Sequence, residues 1–204
     1  MSDPDRELVE ACQGSRGQEF EEAYSRLFAL YQDRVYTVCF RVTGHADDAL
    51  DAAQETMVTL ARRIRDFGFR SKFSSWVYRI AVNAAIDARR KRADAPHGDV
   101  QVHLAASDGE GPLSQHAAPL EHGDPVMAVH HAESRVMVQE ALASINPRFA
   151  ALLTLRYIEG LSYEEIAEVQ DTNLGTVKSR LNRAHAALRE YLERRGWAES
   201  NQPL

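Results

Sequence analysis

Apolar residues near the start of the chain recur three and four positions apart, which is the spacing of a helix that buries one face. The run comprises Phe20, Tyr24, Leu27, Phe28, Tyr31, Val35 and Val38. With Gly44 and Gly68 as interruptions, the pattern predicts three helices, at about Gln18–Thr43, Ala46–Arg65 and Ser74–Lys91. It shows no alternation typical of β-strands.

The polar segment Asp94–Asp124 follows this helical block. It contains four Gly, three Pro and no aromatic residue, so we expect it to be a flexible linker. Helical spacing resumes near Val126, and Pro147, Gly160 and the cluster 171–173 divide the remainder into about four helices.

The pattern predicts an all-α protein, with two small helical domains joined by a flexible acidic linker. The expected divisions are an N-terminal tail at 1–17, a first domain at 18–92, the linker at 93–132, a second domain at 133–195 and a C-terminal tail at 196–204. A length of 204 residues with 44% hydrophobic and 26% charged content fits a globular chain. Apolar runs are too short to span a membrane, and the acidic start does not fit a signal peptide, so we expect a cytoplasmic protein.

The second domain contains the signature of a helix-turn-helix. Ser162, followed three residues later by Glu165, is a capping box that starts a short helix. Asn173, a favourable N-cap residue, can open a second helix after a short turn.

Helical spacing in this second helix predicts that Val177, Leu181, Ala184 and Leu188 form one apolar stripe. Opposite or beside it lie the polar positions Thr176, Lys178, Ser179, Arg180, Asn182 and Arg183. Polar side chains in the first turns, with cations at the edges, suit contact with base edges and phosphates. The alternative is an ordinary bundle helix with a solvated cationic face.

Charge is unevenly distributed along the chain. The net charge of −6 argues, taken whole, against a nucleic-acid partner. However, residues 62–92 hold 10 basic and 2 acidic residues, and residues 178–195 hold 6 basic and 2 acidic residues. Two basic patches therefore flank an acidic spacer, which is compatible with two separate nucleic-acid contacts.

One face of the third predicted helix combines an aromatic ring with charged and amide groups. Arg79, Asn83, Asp87 and Arg90 all lie within about 60° of Trp76 around the helix axis. Single-stranded DNA needs a surface for stacking and cations for its backbone, and this face supplies both. Packing of Trp76 between helices is at least as plausible, and the arginines also fit a solvated surface.

An acidic cluster lies on the second predicted helix. Asp48, Asp51 and Glu55 are three and four residues apart and so share a face. No histidine or fixed loop completes an oxygen cage, which argues against a metal site. A solvated helix face is the simpler interpretation.

Three stretches together resemble extracytoplasmic-function sigma factors of the sigma-70 family. The first is Tyr157–Ala167 with the following Gly175–Leu181, the second is Phe73–Arg90, and the third is Asp48–Glu55, which matches the pattern D-A-x-D-x-x-Q-E. The chain departs from the family at 170–172, where Gln-Asp-Thr replaces two apolar residues around a glycine. Leu50, Ala52 and Ala53 are further departures.

The resemblance implies a sigma-2 domain, a sigma-4 domain and no cofactor. It implies core RNA polymerase and promoter DNA as partners, and commonly an anti-sigma protein. The residues that match are Asp48, Asp51, Gln54 and Glu55 for the polymerase clamp helices; Lys72, Phe73, Trp76, Arg79, Asn83, Asp87, Arg89 and Arg90 for the minus-10 element; and Thr176, Lys178, Ser179, Arg180, Asn182 and Arg183 for the minus-35 element. In the family the loop at 67–74 also helps to capture an extruded base.

Two other classes of function remain open at this stage. An ordinary helix-turn-helix regulator would need neither the Trp76 helix nor the acidic helix. A metal enzyme could use the histidines of the linker region, but their spacing is irregular in a Gly- and Pro-rich segment. Those histidines are His97, His103, His116, His122, His130 and His131. Cys12 and Cys39 suggest neither a disulfide nor a zinc site, and Cys39 is expected to be a buried thiol.

Overall fold

The computed structural model describes residues 5–94 and 125–196, with side chains described from Ser134 onward in the second range. These residues form eight α-helices and no strand. The helices are α1 (Arg6–Gly14), α2 (Gln18–Thr43), α3 (Ala46–Arg63), α4 (Phe73–Asp94), α5 (Pro125–Ser144), α6 (Pro147–Tyr157), α7 (Tyr163–Val169) and α8 (Leu174–Arg194), with a 3-10 turn at Ile64–Asp66 after α3. The all-α prediction is confirmed.

Helices α2, α3 and α4 form the first bundle. The turn between α2 and α3 depends on Gly44, which has φ 76° and donates its N–H to the Phe40 carbonyl. A Cβ at Gly44 would also lie 2.6 Å from the Ala143 Cβ of α5. Glycine is therefore favoured here both by the left-handed backbone and by the close approach of a second helix.

The core of this bundle contains large side chains from every helix. Leu27, Tyr31, Leu60 and Tyr78 are at most 1% exposed, and burial of such side chains contributes about 1.5–3 kcal/mol each. Cys39 is buried as predicted, and burial raises the pKa of its thiol to about 12. It is therefore a packing residue rather than a nucleophile.

The predicted helix-turn-helix is confirmed in its local geometry. The Ser162 hydroxyl accepts from the Glu165 N–H, and the Glu165 carboxylate accepts from the Ser162 N–H. The Asn173 side chain accepts from the Thr176 N–H at 2.8 Å and caps α8. Asp171 adopts φ 47°, so an aspartate occupies the left-handed position of the turn.

The structure differs from the expected divisions at two places. The segment 1–17 was expected to be a tail, but 6–14 form α1, whose Val9 and Cys12 are fully buried. The linker was expected to extend to 132, but α5 already begins at Pro125. The rest of that linker, from 95 to 124, lies outside the described residues.

The two halves of the chain contact each other in this structure. Buried residues of both belong to one continuous apolar cluster, and α2 packs against α5 and α6. The Gln139 side chain joins them by donating to the Phe40 carbonyl at 3.0 Å and accepting from Arg41 at 2.9 Å.

We expect Asn173→Ala to lower the free energy of unfolding by about 1 kcal/mol, because it removes the N-cap of α8. Urea unfolding followed by circular dichroism measures the change. Asn182→Ala is the matched control, since Asn182 is exposed in the interior of the same helix and alanine favours helix there. Equal stability of the two variants would contradict the assigned cap.

Candidate nucleic-acid and protein-binding surfaces

The outer face of α8 presents the predicted polar side chains. Val177, Leu181 and Ala184 are buried, which fixes the orientation of the helix. Lys178, Ser179, Asn182 and Arg183 are exposed, whereas Thr176 and Arg180 are half-buried. The exposed group follows directly after the α8 N-terminus, where a recognition helix contacts a DNA groove.

Two arginines of α8 are already oriented by neighbouring side chains. Arg183 donates to the Ser179 hydroxyl at 3.4 Å, one turn earlier. Arg180 donates to the Gln170 side chain at 3.2 Å, across the turn of the helix-turn-helix. Gln170 departs from the family pattern, yet here it holds a cation at the edge of the α8 face.

The predicted face of α4 is also present. Asn83, Asp87 and Arg90 are exposed, and Arg90 lies 3.2 Å from the Asp87 carboxylate. Trp76 and Arg79 are half-buried. The face therefore combines a half-buried aromatic residue with cations, a carboxylate and an amide.

Two residues expected at the minus-10 element lie away from the exposed face of α4. Phe73 is fully buried, between the rings of Tyr31 and Phe67. Arg89 projects from the opposite side of α4 and donates to the carbonyls of Val42 and Ile145, at 3.0 and 2.7 Å. Its angular position, about 220° from Trp76, is that of a core-facing residue.

The loop before α4 is held by aromatic contacts. The ring of Trp76 lies 5.2 Å from that of Phe67 and 5.6 Å from that of Phe73. The packing interpretation of Trp76 is therefore supported, while its contact with DNA stays a prediction for a residue that is only half-buried.

The acidic residues of α3 form an exposed edge. Asp51, Gln54 and Glu55 are exposed. Asp48 is half-buried and its carboxylate lies 3.1 Å from the Arg92 guanidinium. Three of the four predicted positions are therefore available to a partner, and the fourth is tied to the end of α4.

An apolar groove of about 420 Å³ lies beside this acidic edge, between α2 and α3. Phe28, Tyr36, Leu50 and Met57 supply its apolar lining. Phe28 is 40% and Leu50 is 50% exposed. The apolar spacing placed Phe28 in a stripe expected to be buried. Leu50 was noted only as a departure from the family pattern, although a large apolar residue inside an acidic stretch could have indicated this groove.

Helix α7 packs against α4 and the residue that precedes it. The Lys72 ammonium is 2.5 Å from the Glu165 carboxylate, and the Arg79 guanidinium donates to the Glu168 carbonyl. The hydrogen bonds from Lys72 and from the Ser162 N–H lower the pKa of Glu165. Glu165 is therefore ionised at neutral pH.

A second contact between the halves centres on Glu159, in the loop between α6 and α7. Its side chain is only 6% exposed and accepts from Arg34 at 3.2 Å and from the Tyr78 hydroxyl. A buried carboxylate is stable only when paired in this way.

Among the described residues, no three or more His, Cys, Asp or Glu side chains lie close enough together to hold a metal ion. Four of the linker histidines lie outside the described residues, as do the side chains of His130 and His131. No helix in the described ranges is long and apolar enough to cross a membrane.

Family comparison matches both halves of the chain. Residues 27–94 match Sigma-70 region 2, and residues 135–188 match Sigma-70, region 4. The chain is 33% identical to the ECF RNA polymerase sigma factor SigW of Bacillus subtilis, over 84% of this chain and 90% of that protein. It is also 33% identical to the ECF RNA polymerase sigma-E factor of Escherichia coli, over 90% of this chain and 92% of that protein.

Solved structures share the fold at lower identity. CnrH in complex with the cytosolic domain of CnrY aligns with a TM-score of 0.63 at 20% identity, over 93% of this chain and 97% of that one. The sigma factor RpoE of Bartonella quintana, in complex with the anti-sigma factor NepR, aligns with a TM-score of 0.59 at 20% identity, over 83% and 96% of the two chains. On the matches to both regions and the identity to curated relatives, the chain belongs to the extracytoplasmic-function sigma factors, the alternative sigma factors of RNA polymerase within the sigma-70 family.

Proposed function

We propose that this chain binds core RNA polymerase through α3 and directs it to promoters by reading the minus-35 element with α8 and the minus-10 element with α4. Sigma factors are non-enzymatic initiation factors, and we assign no catalytic residue to this one. The observation that carries the proposal is that three surfaces of different chemistry occur on one chain of this family. They are the polar face of α8, the face of α4 and the acidic edge of α3.

The minus-35 assignment rests on the geometry of α8. Lys178 and Arg180 lie at the edges of the helix, where they can reach phosphates on either side of a groove. Ser179, Asn182 and Arg183 face outward and can donate to base edges. Thr176 lies in the first turn, where a phosphate can approach the helix N-terminus.

The minus-10 assignment rests on α4. Asn83, Asp87 and Arg90 offer amide, carboxylate and guanidinium groups to an unstacked base and its backbone. Lys72, Trp76 and Arg79 extend this surface to the loop at 67–74. Phe73 and Arg89 support the surface from beneath and do not contact DNA in this proposal.

The polymerase assignment combines charge with apolar area. Asp51, Gln54 and Glu55 offer acceptors at the rim, whereas the Phe28 and Leu50 side chains offer apolar surface in the adjacent groove. Protein interfaces commonly have such an apolar centre and a polar rim. We further propose that the chain acts in the cytoplasm, with the polymerase, and that an anti-sigma protein regulates it.

Arg183→Ala and Ser179→Ala should each weaken recognition of the minus-35 element by about 1–3 kcal/mol, the range for a well-formed base contact. Binding of the reconstituted holoenzyme to duplex promoter DNA measures the loss. Binding to core polymerase should not change. Arg189→Ala is the control, because Arg189 is exposed on a later turn of the same helix. Promoter selectivity that is unchanged in both test variants would place the recognition surface elsewhere.

Reversing the charge of Asp51 and Glu55 to Lys should abolish co-purification with core polymerase, because both carboxylates are exposed and lie on the proposed interface. The double variant Glu21→Lys and Glu22→Lys makes the same charge change at the start of α2 and should bind normally. Circular dichroism of both variants should show the native helix content. Normal holoenzyme formation by the α3 variant would disprove the polymerase assignment.

A further inference from the structure

We propose that helix α1 positions the loop at 67–74, and that Gln13 and Arg6 are the side chains through which it does so. This inference rests on the proposed function of that loop in minus-10 recognition. Helix α1 lies outside both family-matched ranges of the chain. The inference adds that this helix sets the shape in which the loop meets an extruded base.

The Gln13 amide fixes the turn that leads into the loop. It donates to the carbonyls of Ile64 and Phe67, at 2.8 Å each. The same turn is closed by the Phe67 N–H, which donates to the Ile64 carbonyl at 3.2 Å. Arg65 adds a contact in the other direction by donating to the Ser15 carbonyl, directly after α1, at 2.8 Å. Because these bonds satisfy backbone carbonyls of both segments, α1 and the turn are joined as one unit.

Helix α1 is itself anchored in the core, so it can act as a fixed support. Val9 and Cys12 are fully buried. Just before the helix, the Asp5 carboxylate accepts from the Tyr31 hydroxyl of α2. The Tyr31 ring lies 5.6 Å from that of Phe73, near the far end of the loop. The N-terminal segment is therefore linked to both ends of the loop.

Phe69 has a backbone conformation that its residue type disfavours. Its φ is 54°, in the left-handed region, where bulky side chains are rare. The adjacent Gly68 could adopt a positive φ without steric cost, but it does not. Such a conformation persists only where surrounding contacts impose it. Here the Arg6 guanidinium lies over the Phe69 ring, 4.6 Å from its centroid, and the Phe67 ring meets it edge-on at 5.1 Å.

The contacts of α1 reach the proposed DNA-binding surface through Phe67. The Phe67 ring lies 5.2 Å from that of Trp76, which we assign to minus-10 recognition. The position of Trp76 and of the loop backbone therefore depends on Gln13 and Arg6. A loop that is already ordered loses less conformational freedom when it captures a base. Helix α1 should thus increase the affinity for DNA without contacting it.

Trp76 fluorescence in the full-length protein tests whether α1 holds the loop. The chain contains two tryptophans, so Trp197→Phe leaves Trp76 as the single reporter. In this background, Gln13→Ala and Gln13→Glu should each raise the acrylamide quenching constant of Trp76, because both changes remove the donor to the turn carbonyls. Circular dichroism and urea unfolding verify that the variants are folded under the conditions of the measurement.

The matched controls are Gln18→Ala and Gln18→Glu. Gln18 is exposed at the start of α2 and donates to Glu22 of its own helix, so the same chemical changes there should leave the quenching of Trp76 unaltered. Quenching that is unchanged in both Gln13 variants would overturn the proposal.

The contribution of the captured base separates positioning from a general loss of stability. Holoenzyme is bound to premelted DNA of a promoter identified by transcript mapping, with each non-template minus-10 nucleotide replaced in turn by an abasic one. With the unsubstituted protein, the abasic nucleotide at the captured position should weaken binding. In Gln13→Ala this effect should shrink by about threefold to tenfold, the range for one or two hydrogen bonds. Affinity for core polymerase and for the abasic DNA should not change.

Arg6→Ala is a milder second variant, because Arg6 is exposed and the hydrogen bonds of Gln13 remain. It should shift both measurements in the same direction as Gln13→Ala, whereas Arg16→Ala, at another exposed arginine, should shift neither. An abasic effect that stays at full size in the Gln13 and Arg6 variants would refute the positioning role. If no abasic position weakened binding of the unsubstituted holoenzyme, the proposed function of the loop would fail instead, so the two failures are distinguishable.

Discussion

The packing of α4 against α2 and α3 determines which of its side chains are left on the outer face. A helix that buries Val77, Tyr78, Ala81 and Ala85 on one side must present the residues about half a turn away on the other. Trp76, Arg79 and Asn83 are therefore placed by the core and not by local preference. The same rule operates in α8, where burial of Val177 and Leu181 directs Ser179 and Arg183 outward.

Local signals predicted most of the helices and their ends. The range of α2 was predicted from spacing and from Gly44, and the capping box at Ser162 and the Asn173 cap were predicted from residue type alone. These features depend only on residues a few positions away along the chain, so they can be recognised from the sequence alone. Burial of Phe73 and the reversed direction of Arg89 were missed because both residues were taken from a family pattern, although the angular position of Arg89 already placed it towards the core.

Features that depend on distant contacts were not predictable in the same way. Helix α1 is only nine residues long, so Leu8, Val9 and Cys12 give too short an apolar pattern to predict it, and it is held in part by the Gln13 amide, which donates to the carbonyls of Ile64 and Phe67 at 2.8 Å each. The burial of Glu159 depends on Arg34 and Tyr78, which are 125 and 81 residues away in sequence. A charged residue in a loop gives no sign of such partners, since most charged loop residues are solvated.

The central claim is that this chain selects promoters for RNA polymerase, and sequencing of transcripts tests it most directly. Core polymerase reconstituted with the protein should initiate on genomic DNA at a discrete set of sites that share one minus-35 and one minus-10 sequence. Core polymerase alone should not use these sites. Initiation at the same positions with and without the protein, or sites with no shared upstream sequences, would contradict the account.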